Sequence, residues 1–98
     1  MNDTTNLATR ILNDLDYAGR QVVRFYGYER AAVALQRVED CLKYPQWYFK
    51  SPTTPEVLAQ FTPLAGAAAA AIKMMYRHDE IALVAVEGLR AQIAKLAN

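Results

Sequence analysis

The sequence predicts an all-α protein: a small helical bundle of about four helices, with a long C-terminal helix, that associates into oligomers. Three observations carry this. Apolar residues recur at alternating steps of three and four along nearly the whole chain, the spacing of a helix seam. No strand-like alternation runs beyond a few residues. The chain is also rich in apolar residues for its size: 53% of 98 residues are hydrophobic before glycine is counted, against a usual share of about 45–50% with glycine included. A chain this short buries only about 60–70% of its unfolded surface, so the surplus points to association, a homodimer first.

The first helix is predicted over residues 4–26. Asn2, Asp3, Thr4 and Thr5 offer N-caps, and Ala8, Ile11, Leu15, Ala18, Val22 and Phe25 form the seam. Its outer face carries Arg10, Tyr17, Arg20 and Arg24. Arg10 with Asp14, and Asp16 with Arg20, are spaced as i,i+4 surface pairs. Gly27 then interrupts, and a turn or kink there is favoured over an unbroken helix. A second seam, Tyr28, Ala31, Leu35, Val38 and Leu42, predicts a helix over 28–44, ended by Pro45.

Residues 44–56 read YPQWYFKSPTTPE. Tyr44, Trp47, Tyr48 and Phe49 are too apolar to be a passive linker. Three such rings buried amount to roughly 10–15 kcal/mol as an upper estimate. They either fold back over the bundle or dock on another chain, which makes them candidate partner-binding residues. Thr54-Pro55 marks the start of a short helix over 55–61, with Glu56 completing a capping box from Thr53.

Thr62-Pro63 restarts the helical pattern. From Leu64 through Ala68, Ala71, Met75, His78, Ala82, Ala85, Leu89, Ile93 and Leu96 one seam keeps register. One continuous helix over 63–97 is favoured. It would be roughly 52 Å long at 1.5 Å per residue, and would protrude from so small a domain unless paired. The competing reading breaks the chain at Arg77-His78, with Asp79 capping a last helix. The small-residue run Ala67–Ala71 lets helices approach closely, and is equally a strong helix former.

Composition removes several functional classes. There is one His, one Cys and one Ser. Asp79 and Glu80 beside His78 project about 100° apart on a helix, so they do not converge on one point. No metal-ligand spacing occurs. Cys41 follows Glu39 and Asp40, which raise rather than lower a thiol pKa. The glycines stand singly at 19, 27, 66 and 88, so no phosphate loop forms. No enzyme, metal or cofactor is expected.

Eleven Lys and Arg against ten Asp and Glu argue against a nucleic-acid binder. The five arginines at 10, 20, 24, 30 and 37 leave that class as a last alternative. A single cysteine suits a reducing compartment, and the longest apolar run, Leu64–Ile72, is about half a membrane span. A cytoplasmic protein is expected. Its predicted function is non-catalytic protein–protein interaction, as an adaptor, a regulatory subunit or an inhibitor of a larger assembly. The alternative is an oligomeric binder of a nucleotide-like anion, held by Arg10, Tyr17, Arg20 and Arg24 with the aromatic cluster.

Overall fold

Helix α1 (Asp3–Phe25) runs the length of the molecule, and α2 (Tyr28–Lys43) returns beside it. The computed structural model describes residues 3–45 and 54–97, and all of the secondary structure among them is helical. Helix α3 (Pro55–Phe61) leads through a 3-10 turn, Thr62–Leu64, into α4 (Ala65–Tyr76), and α5 (Ala82–Ala97) closes the bundle. The neighbours around the ring are α1, α2, α4 and α5 in that order. The bundle is 37 Å long and 20 Å across.

The seams place the core. Ala8, Ile11, Leu15 and Ala18 of α1 are buried, as are Ala31, Leu35, Val38 and Leu42 of α2. Helices α2 and α4 pack closely because both bring small residues inward, Ala31, Ala32 and Ala34 against Ala65, Ala68 and Ala71; small side chains shorten the distance between axes. Phe61 fills the space under α3, fully buried. Cys41 is likewise buried in the core. Thr54 caps α3 as its sequence indicates, its Oγ1 accepting from the Val57 N–H at 3.3 Å, with Pro55 in the first turn.

The long C-terminal helix is corrected. The segment 63–97 is two helices, broken after Tyr76. His78 takes a left-handed backbone, φ 51°. The Asp79 N–H then bonds to the Met74 carbonyl at 3.0 Å and the His78 N–H to the Met75 carbonyl at 3.1 Å, a Schellman closure of α4. Asp79 starts the return, its Oδ1 accepting from the Ile81 N–H at 3.0 Å. The seam stayed in register because a heptad step records which face is inward, and says nothing of a reversal in axis direction. A straight helix would have overrun the bundle by roughly 15 Å; folding back buries Val86, Leu89 and Ile93 in the core instead.

Three smaller expectations also change. Phe25 ends the first seam but is 65% exposed, since it lies past the last core layer. Asp14 and Asp16 reach across to other helices, Asp14 to Arg37 at 3.6 Å and Asp16 to Arg90 at 2.6 Å, which leaves Arg20 without the Asp16 partner its spacing suggested. One helical stretch among the described residues, Pro55–Tyr76, is long and apolar enough by length and composition alone to cross a membrane; its mean hydropathy is 1.3, and 33% of that window is buried in the bundle.

Candidate functional site

Helices α1 and α5 are antiparallel: Asp16 pairs with Arg90, while Gly19, three residues further along α1, faces Leu83. The end of α1 therefore lies beside the start of α5. The Tyr28 ring stacks on the His78 ring, with centroids 4.5 Å apart and planes 13° from parallel. The α1–α2 and α4–α5 connections thus share one end of the bundle, the turn end.

The turn end gathers most of the large apolar side chains left exposed among the described residues. Of the eight large apolar side chains exposed among the described residues, six are Val23, Phe25, Tyr26, Tyr76, Ile81 and Val84, all at or within a turn of these two connections. Single exposed apolar residues are ordinary, but several gathered in one region mark interaction sites.

Backbone strain gathers there too. The two non-glycine residues with positive φ among the described residues are Tyr26 (φ 50°) and His78 (φ 51°). A left-handed residue costs about 1–2 kcal/mol unless it is glycine. At His78 the stack on Tyr28 offsets this. Tyr26 is 80% exposed, so little packing offsets it there. The neighbouring Gly27 has φ −83° and is glycine for another reason. A Cβ at that position would stand 3.1 Å from Gln21 Oε1 and 3.3 Å from the Gln21 carbonyl, while the Gly27 N–H bonds to that same carbonyl at 2.8 Å. Gln21 itself is buried, and its carboxamide oxygen has no hydrogen-bond partner among the described residues. Such strain, held without local compensation, clusters at functional positions. Tyr26→Gly is expected to raise stability by about 1 kcal/mol, read as an increase in the urea midpoint; a lower midpoint would mean that the Tyr26 ring stabilises the fold.

Two hollows adjoin this end. A smaller one, about 220 Å³, lies between Tyr26, Tyr28, Arg30 and His78. A groove of about 370 Å³ runs between α1 and α5. Leu15, Val23, Leu83 and Val86 make its apolar walls, and Gly19 lies in its floor. Arg20 and Arg24 stand on one rim and Glu87 and Arg90 on the other. The hydrogen bond to Asp16, then its charge, raises the Arg90 pKa above its ordinary value. Arg20 and Arg24 have no ion pair among the described residues. Glycine inside a helix costs about 1 kcal/mol against alanine. A Cβ on Gly19 would meet only Leu83 Cδ1, at an ordinary 3.8 Å, so packing within the chain does not require glycine there.

The residues singled out in the sequence divide. Arg20 and Arg24 line the groove together. Arg10 lies about 15 Å further down α1, and Tyr17 is half-buried against the core. Tyr44 ends α2, its N–H bonded to the Asp40 carbonyl at 2.8 Å, at the end of the bundle opposite the turns. Trp47, Tyr48 and Phe49 lie outside the described residues. Arg90, Leu83 and Tyr26 carried no signal of their own, because what makes them notable is tertiary: an ion pair across 74 residues, a facing helix, and a backbone angle. Among the described residues no group of three His, Cys, Asp or Glu side chains could hold a metal ion. The His78 ring meets an aromatic ring rather than a carboxylate.

Comparison with protein-family models, with curated proteins and with solved structures found no match. The functional reading therefore rests on the chain's own geometry.

Proposed function

We propose that this protein is a non-catalytic protein–protein interaction module, an adaptor, regulatory subunit or inhibitor of a larger assembly, acting in the cytoplasm through its turn end. The single observation behind this is the gathering of exposed apolar side chains, with an exposed left-handed Tyr26 among them, at one end of a bundle whose core is otherwise closed. Burial of each such side chain by a partner contributes about 1.5–3 kcal/mol. A few of them suffice for micromolar affinity after the entropy of association is subtracted.

The same surplus supports self-association, with a dimer as the simplest closed form. Sedimentation equilibrium of the purified chain, combined with capture from native lysate, tests both. A stable dimer or a captured protein is the expected result; a strict monomer that retains no protein contradicts the reading. A second reading, binding of a nucleotide-like anion, is supported by Arg20 and Arg24 on one rim of the groove, which have no ion pair among the described residues. A thermal-shift series with nucleotides tests it, since a ligand bound at 100 times its Kd stabilises by about 2.7 kcal/mol.

A further inference from the structure

We infer that the groove between α1 and α5 receives an amphipathic helix of a partner protein whose polar flank is acidic. The inference rests on the interaction-module reading and names the chemistry of the partner.

Depth comes first. Gly19 leaves the groove floor open although a Cβ there would meet no closer neighbour than Leu83 Cδ1, at 3.8 Å. The missing side chain makes room for an incoming one. The stretch of α1 that lines the groove runs from Leu15 to Arg24, about 14 Å at 1.5 Å per residue. That length accommodates the i, i+4, i+7 anchors of a helix laid in a groove.

Charge selects the occupant. Asp16 is engaged by Arg90 at 2.6 Å, and neither Arg20 nor Arg24, one helical turn apart on the same rim, has an ion pair among the described residues. Like charges at i,i+4 repel. Carboxylates on an incoming helix, spaced by one turn of their own, would lie opposite them. A second copy of this chain docked groove to groove about a two-fold axis would present to this arginine pair either the same pair or the Glu87 and Arg90 rim, whose charges offset each other. A small anion would leave the apolar walls uncovered.

The test uses the full chain and three synthetic helical peptides. All carry leucines at i, i+3, i+4 and i+7; their polar flanks are glutamate, glutamine or lysine. Affinity is read by fluorescence anisotropy and location by amide chemical shifts. The glutamate peptide is expected to bind at least tenfold tighter than the lysine peptide and to shift the Gly19 and Leu83 amides. Arg20→Glu with Arg24→Glu should reverse that order. Gly19→Ala should weaken binding about tenfold while raising Tm by about 4–8 °C. Gly88→Ala, on the outer face of α5 with nothing within 4 Å of its Cβ, should raise Tm and leave binding unchanged.

Equal binding of the three peptides, shifts located elsewhere, or no binding overturns the proposal, as does occupation of the groove by inorganic phosphate or by a second copy. Should the charge-swapped chain and Gly19→Ala still capture a protein from lysate as the native chain does, this inference falls and the interaction module stands. A native chain that is a strict monomer and captures nothing removes both.

Discussion

Phe61→Ala is expected to lower stability by about 3–5 kcal/mol, a large part of the 5–15 kcal/mol that holds a small domain folded. Helix α3 has 7 residues, far below the length at which a helix persists alone in water. Its Thr54 cap contributes about 1 kcal/mol. What fixes α3 is therefore the fully buried Phe61 ring at its end, which ties this helix into the core. Removing the ring leaves a cavity between helices that cannot fully collapse. Urea unfolding should show the midpoint falling by about 1 M or more at unchanged m. Phe61→Leu should lose much less, because most of the volume remains. A loss under about 1 kcal/mol for the alanine variant would mean that α3 does not belong to the bundle.

The second large effect is on binding. Ile81 and Val84 are 56% and 66% exposed, at the start of α5. Ile81→Glu with Val84→Glu should leave the fold intact within about 0.5 kcal/mol, since surface changes are mild and acids suit the first turn of a helix. If a partner covers these positions, two buried carboxylates replace two buried apolar side chains. At about 1.5–3 kcal/mol for each lost contact, affinity for a captured partner or for a second copy should fall about 100-fold or more. Unchanged association at unchanged Tm would place the interface elsewhere.

Much of the architecture was legible because it depends on local rules. The 3–4 stepping marked the inward faces of α1, α2, α4 and α5, and Thr54-Pro55 marked the start of α3. The reversal at His78 was half-legible. Asp79 stood as an available cap, but the seam ran through it unbroken, and a left-handed His78 leaves no periodic trace. Phe25 shows the complementary failure: a correct period extended one step past the core. The site was the least legible part. Arg20 and Arg24 stood out as a pair, but Arg20 lacks its spaced partner because Asp16 turns to Arg90, which no local spacing reveals. The aromatic cluster at 44–49 drew attention by composition, whereas six of the eight exposed large apolar side chains of the described structure gather at the turn end, contributed by three separate segments.

The central claim is that the turn end is the working surface. Replacing Tyr26 with a photo-cross-linking phenylalanine analogue in the producing cell tests it most directly, with the same analogue at Val33, exposed on α2, as the control. Cross-linked species containing this chain and a second polypeptide, formed from position 26 and not from position 33, are the predicted result. Adducts from position 33 alone, or none from position 26, would contradict the claim.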